Sequence, residues 1–272
     1  MIKYFSLFFS LIYKNLLKIR KRYRVVISSV LLTLIFLYST FYQREYYLFF
    51  LFIFLVSAYL LTFFAILESI NGIEWFMLFL MPVMISLSFY LFYFLFPGRW
   101  LTRFPFMVIF GLSIYAILLA NNILNTTVEK NIQLYRAGFA INFLLINVVA
   151  FLCGVIIYSL YRGPLFIATA VFLLSFVLAY QFVWSVQLGD NFGLGQLLTA
   201  LIIAVLTTEV AVLASLIPIS EVFFGIFLSS FLYFIAGHIY LLLEQKLYPE
   251  TTREFKIVIF LLLIILFLAV KY

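Results

Sequence analysis

The chain has 272 residues, of which 67% are hydrophobic and only 10% are charged, and its formal net charge is +7 at pH 7. Because a soluble domain carries about 25% charged residues, this composition excludes a water-soluble globular protein. The single cysteine, Cys153, excludes an intrachain disulfide. Seven of the seventeen Lys and Arg residues lie within the first 24 positions. The positive charge therefore indicates an anionic lipid surface as a partner and not nucleic acid.

Residues 1–24 predict a basic amphipathic helix that lies flat on the cytoplasmic surface of a membrane. Apolar side chains recur at helical spacing on one face of this segment, and lysines occupy another face. Basic side chains on such a helix point toward lipid phosphates, so we expect a band of contacts with anionic head groups. The residues of this band are Lys14, Lys18, Arg20, Lys21 and Arg22. An ordinary topogenic tail is the alternative.

Nine apolar segments follow, each close to the roughly 20 residues that a helix needs to cross a hydrocarbon core of about 30 Å. They are 25–42, 46–67, 75–96, 105–124, 137–161, 164–183, 195–217, 222–244 and 255–270. Most joints between them carry turn signals or polar clusters, such as PGRW, YRGP and PISE. The sequence thus predicts an all-α, polytopic transmembrane helical bundle that forms one domain over 25–272. The number of spans falls to eight if one segment is re-entrant.

The distribution of basic residues predicts the orientation. With the N-terminus inside, twelve Lys and Arg residues face the cytoplasm and five face the outside. The excess depends on the N-terminal cluster, since removing its seven members leaves five on each side. We therefore predict a plasma-membrane protein with a cytoplasmic N-terminus.

Polar side chains within the predicted spans form the candidate site. An unpaired amide in hydrocarbon is costly, so these side chains must face protein or water. The predicted topology places polar groups of spans four to eight at similar depth, which predicts a polar vestibule open to the cytoplasm. Its candidate lining residues are Asn121, Asn122, Asn142, Asn147, Gln181, Thr199, Glu209 and His238. Interhelical hydrogen bonding and helix capping are the alternatives.

Glu209 is the most informative of these residues, because a charged side chain near the middle of a span costs about 2.5–3.5 kcal/mol on insertion scales. It indicates either a functional acid that faces the interior or a neutral Glu hydrogen-bonded to a neighbouring group. The only histidine, His238, lies roughly 10 Å away in depth at 1.5 Å per residue, which disfavours direct pairing. With one His and one Cys, we expect no metal site and no cofactor.

Catalytic motifs are absent from the sequence: there is no H-E-x-x-H, no P-loop and no dinucleotide fingerprint. The leading prediction is a non-enzymatic membrane subunit, scaffold or assembly factor that acts on lipids and protein subunits. One alternative is a small-molecule or ion transporter that uses the vestibule and Glu209. Another is an enzyme acting on lipid-linked substrates, with Glu209, Glu68 or Glu74 as the general base.

Four segments carry a resemblance to known sequences: RWLTRFP (99–105), LLANNILN (118–125), NIQLYRAG (131–138) and FVWSVQL (182–188). They resemble an uncharacterised family of bacterial multi-pass membrane proteins, a domain of unknown function found in small-genome environmental bacteria. The resemblance covers most of the chain after the N-terminal helix. It implies a prokaryotic plasma-membrane location and supplies no activity, so no catalytic residue is carried over.

Overall fold

The structure, a computed structural model, describes residues 19–41, 47–66, 74–95, 100–126, 132–160, 163–188 and 193–245, together with 248, 253, 256–257, 260 and 264. Of these residues 91% are helical, and none belongs to a strand. The predicted all-α helical bundle is therefore confirmed.

Eight helices in the described part of the chain are long and apolar enough to cross a membrane. They are α1 (Lys21–Ser39), α2 (Tyr47–Ile66), α3 (Glu74–Tyr93), α4 (Trp100–Thr126), α5 (Ile132–Ser159), α6 (Pro164–Gln187), α7 (Leu194–Ser215) and α8 (Glu221–Leu243). They correspond in order to the first eight predicted spans. The ninth, 255–270, lies almost entirely outside the described residues. These helices are compatible with a multi-pass membrane protein.

Two of the helices extend well beyond the predicted spans. α4 has 27 residues and α5 has 28, which corresponds to roughly 40 Å at 1.5 Å per residue. The asparagine-rich segment of α4 and the polar start of α5 are thus helical and not parts of the connection. α6 begins after Gly163, whose φ of 113° only glycine adopts easily, and has Pro164 in its first turn.

The basic N-terminal band is only partly within the described residues. Lys14 and Lys18 lie outside them, whereas Arg20 and Arg22 are exposed and Lys21 is half-buried. α1 begins at Lys21, so Lys21 and Arg22 belong to the first span and not to a separate flat helix. No Gly or Pro separates these residues from the apolar segment, and nothing interrupts the helix. The lipid contacts of the band stay a prediction.

The chain divides into two compact units, Met1–Leu87 with Gly98–Gly138, and Ser88–Pro97 with Phe139–Tyr272. In the first unit α1 packs against α2 and α4, and the ring of Phe36 lies 5.1 Å from that of Phe54 and 4.9 Å from that of Phe110. In the second unit α6 packs against α7 and α8. The predicted single domain over 25–272 stays a prediction.

Glycine allows two helices of the second unit to approach closely. A Cβ atom at Gly225 of α8 would lie 2.9 Å from the carbonyl oxygen of Phe151 and 2.5 Å from a methyl group of Val155, both on α5. Gly154 faces the same contact, since its Cβ would lie 3.2 Å from the Cα of Gly225. Small residues at such crossings let membrane helices pack backbone against backbone.

Candidate functional site: the buried amides and Glu209

Asn121 donates a hydrogen bond to a carbonyl of another helix, and a proline in that helix leaves this carbonyl without its usual donor. Pro82 lies inside α3 and has no N–H, so the carbonyl of Leu78, four residues earlier, has no helical donor. The Nδ2 atom of Asn121 on α4 donates to this carbonyl at 2.6 Å, and the Asn121 side chain is fully buried. A carbonyl without a partner would be costly in an apolar interior. Asn121 therefore joins α4 to the proline site of α3.

The neighbouring asparagines lie on the same helix. Asn125, one turn further, is buried, and Asn122 is half-buried. Both make contacts of their own within the protein. The asparagine-rich end of α4 thus lies against protein, as interhelical hydrogen bonding requires.

Asn142 and Gln181 form a reciprocal amide pair between α5 and α6. The Asn142 Nδ2 donates to the Gln181 Oε1 at 3.2 Å, and the Gln181 Nε2 donates to the Asn142 Oδ1 at 3.1 Å. Both side chains are fully buried. Neighbouring positions of the two helices also pack together, since Phe139 and Phe143 on α5 both contact the ring of Phe182 on α6, at 5.8 and 5.0 Å. The pair is therefore a local polar link between two packed helices.

The amide pair predicts energetic coupling between its two members. Asn142→Leu or Gln181→Met alone leaves one buried amide without its partner, whereas the double variant removes both polar groups. We expect the double variant to lose about 0.6–1.7 kcal/mol less free energy of unfolding than the sum of the single variants. Reversible unfolding in bicelles measures this difference. Asn147→Leu with Gln181→Met is the control and should be additive. Additivity of the Asn142 and Gln181 losses within about 0.3–0.5 kcal/mol would contradict the coupling.

Three further predicted site residues bond to their own helices. Asn147 donates from Nδ2 to the carbonyl of Phe143 at 2.7 Å, and Thr199 donates from Oγ1 to the carbonyl of Gly195 at 2.8 Å. The Nδ1 atom of His238 lies 3.0 Å from the carbonyl oxygen of Phe234, one turn earlier on α8. Bonds of this kind, to a carbonyl one turn earlier, need no second helix, although the Oδ1 atom of Asn147 is buried without a hydrogen-bond partner.

Asn147 also lines a cavity of about 540 Å³ in the second unit. The cavity lies between α5 and α8, where Ser229 and Tyr233 are the other polar side chains of its wall. The Ser229 hydroxyl donates to the carbonyl of Ile226 on its own helix at 3.0 Å. The remaining wall is apolar, so this cavity does not have the polar lining expected of the vestibule.

Glu209 lies on the exposed face of α7 and not on its buried face, and its predicted place in a polar vestibule stays a prediction. The side chain is exposed on α7. The buried face of α7 includes Ile203, Thr207 and Ala211, and Glu209 is rotated by about 200° from Thr207 at 3.6 residues per turn. It lies instead on a stripe of exposed apolar side chains, which are Ile202, Val205, Leu206 and Leu213. The spacing of apolar residues did not reveal which side of α7 packs inward.

Of the predicted lining residues, Asn142 and Gln181 bond to each other in the second unit. In the same unit Asn147, Thr199 and His238 each contact a carbonyl of their own helix, and Glu209 is exposed. Asn121 serves the proline site of the first unit. Among the described residues, no three His, Cys, Asp or Glu side chains lie close enough to hold a metal ion.

Sequence reasoning missed three features that the structure makes prominent. The first is the hydrogen bond from Asn121 to the carbonyl of Leu78. The sequence contained a signal for it, since Pro82 within an apolar span leaves the carbonyl four residues earlier without a donor. The second is the small-residue contact of Gly154 and Gly225. The third is Arg24, which was counted with the basic N-terminal cluster but is fully buried in α1.

Comparison with known proteins gives no relative from which a function can be taken. No protein family, no curated protein and no solved structure matches the chain. The resemblance to a bacterial membrane family, with the plasma-membrane location that it implies, therefore stays a prediction.

Proposed function

We propose that the protein is a non-enzymatic, multi-pass membrane subunit and that the exposed stripe of α7 around Glu209 binds a transmembrane helix of another chain. We further propose, from the distribution of basic residues, that it resides in a plasma membrane with its N-terminus in the cytoplasm.

The exposure of Glu209 supports this proposal. α7 ends at Ser215, six residues later, so Glu209 lies roughly 9 Å inside the end of the helix at 1.5 Å per residue. Apolar side chains surround it on the exposed face. A carboxyl group directed at lipid is costly in either form, because lipid offers neither a hydrogen-bond donor nor a counter-charge. A partner that supplies a donor removes this cost.

The chemistry of the stripe defines the partner. Its flanking residues Val205, Leu206 and Leu213 favour an apolar helix, and Glu209 favours one that carries a cationic or hydrogen-bond-donating side chain at the same depth. A second copy using the same face would be related by a two-fold axis and would place Glu209 against Glu209. That arrangement provides a donor only where one of the two carboxyl groups is protonated, whereas a cationic side chain donates to the carboxyl group in either form, so the proposal is a different chain.

The mass of the complex in native membranes tests this proposal. Polymer-extracted native discs should contain the 31.8 kDa chain together with a second, different chain. Glu209→Leu should release the partner without reducing the amount of protein, because a charge leaves an apolar face. Glu221→Gln, which changes an exposed acid at the start of α8, is the matched control and should retain the partner. Discs with one or two copies of this chain alone, or a partner that survives Glu209→Leu, would refute the proposal.

The transport and enzyme alternatives both require polar groups that share a lining. In the second unit, Glu209 lies on an exposed face, whereas Asn142 and Gln181 are fully buried and bond to each other. Binding of a partner helix requires Glu209 on an exposed face, which is where it lies, so this role is preferred.

A further inference from the structure

We propose that a groove between α1 and α4 binds one acyl chain of an anionic phospholipid and that Arg103 binds the phosphate of its head group. The groove lies in the first unit, away from α7 in the chain, and the inference does not depend on the proposed partner helix.

The groove has the size of a ligand site. Its volume is about 480 Å³, within the roughly 300–1,000 Å³ typical of small-molecule pockets. The residues that line it are mostly apolar, and several of these side chains, including Leu34, Val108 and Leu112, are exposed on the surface of the protein. An apolar groove on such a surface suits a hydrocarbon chain.

The shape of the groove follows from how the two helices meet. At its floor a Cβ atom on Gly111 would lie 2.8 Å from the Oγ1 of Thr33, so α1 and α4 approach closely there. The groove extends along α4 from Arg103 to Tyr115, which is roughly 18 Å for twelve residues. Half of a hydrocarbon core is about 15 Å. The groove therefore has the length of one acyl chain in one leaflet.

Arg103 places a positive charge at one end of this groove. Its side chain is half-buried, and its Cζ atom lies 5.7 Å from the centre of the Phe41 ring, which holds the guanidinium at the groove mouth. Its Nε–H is buried and has no hydrogen-bond partner. The side chain forms no ion pair with any acid in the described part of the chain.

The apolar groove and the arginine at its end together identify the class of ligand. Arg103 is the fourth residue of α4, so it lies near the end of a membrane-crossing helix, where lipid phosphates are found. A guanidinium binds phosphate through two parallel hydrogen bonds, which a lysine does not reproduce. A ligand with an anionic head and an apolar tail satisfies the charge and the groove together, whereas a purely apolar helix would leave Arg103 without a counter-charge.

Native mass spectrometry of the purified full-length protein, with phosphatidylglycerol competing against phosphatidylcholine, tests the head-group contact. Arg103→Gln should weaken retention of phosphatidylglycerol by about ten-fold or more, as expected for loss of a charge-assisted hydrogen bond. Arg103→Lys should retain phosphatidylglycerol more weakly than the native protein and more strongly than Arg103→Gln. Arg136→Gln is the matched control, because Arg136 is an exposed arginine of the same unit outside the groove, and it should bind as the native protein does.

A second pair of variants tests the groove itself. Val108 lines the groove, whereas its neighbour Ile109 is also exposed on α4 but does not line it. Val108→Trp should displace the phospholipid, and Ile109→Trp should not. Equal retention in Arg103→Gln and Arg136→Gln, or equal loss in the two Trp variants, would show that the lipid binds non-specifically around the protein and would overturn the inference. Co-purification of a protein helix in place of lipid would overturn it as well.

Discussion

Asn121→Leu should destabilise the protein by about 1–3 kcal/mol, and Pro82→Ala should remove most of that loss. Without the amide, the carbonyl of Leu78 has no donor, because residue 82 of α3 has no N–H. Alanine at position 82 restores that N–H and the ordinary helical bond. The rescue thus distinguishes a lost hydrogen bond from lost packing at Asn121, which an alanine on α3 would not repair.

The free energy of unfolding in bicelles is measured for the native protein, for each single variant and for the double variant. Pro105→Ala combined with Asn121→Leu is the control. Pro105 lies near the start of α4 and interrupts the bond to the carbonyl of Leu101, not that of Leu78. These two changes should be additive. If Pro82→Ala and Asn121→Leu are also additive, Asn121 does not act on the proline site.

Gly225→Ala should lower the free energy of unfolding by about 1–3 kcal/mol, and Gly225→Leu should lower it further. The added Cβ would lie 2.9 Å from the carbonyl oxygen of Phe151, a backbone atom that cannot move without shifting α5. Close packing transmits that displacement along the helix contact. Gly154→Ala should have a smaller effect, because its closest contact, at 3.0 Å, is with the flexible end of Leu228.

Gly195→Ala is the matched control for this contact. Gly195 is also in a helix of the second unit, but no atom lies within 4 Å of its added Cβ. Alanine there should leave stability unchanged or raise it, since glycine within a helix costs about 0.5–1 kcal/mol relative to alanine. Thermal unfolding of the three variants in one detergent compares them. Equal melting temperatures for Gly225→Ala and Gly195→Ala would contradict the close approach of α5 and α8.

Much of the architecture could be predicted from hydropathy. Helices need apolar segments of a known length to cross a bilayer, and eight of the nine predicted segments correspond to helices. The ends were less predictable: α4 and α5 continue through polar residues, because a helix can extend past the hydrocarbon core into the head-group region.

The candidate site was predictable in part. The rule that an amide in a span must face protein or water agrees with the burial of Asn121, Asn142 and Gln181, whereas their predicted place in one vestibule stays a prediction. The rule did not specify the partner. In a nearly uniformly apolar helix such as α7, periodicity does not show which face packs inward, so the outward direction of Glu209 could not be deduced.

Photo-crosslinking from Val205 tests the central claim most directly, namely that the exposed face of α7 contacts another membrane protein. A photoreactive residue at Val205, one turn from Glu209, should form a discrete protein adduct at native expression levels, and Glu209→Leu should abolish it. The same probe at Leu173, an exposed apolar position on α6, should form lipid adducts only. Lipid adducts alone from Val205, or a protein adduct that persists in Glu209→Leu, would contradict the account.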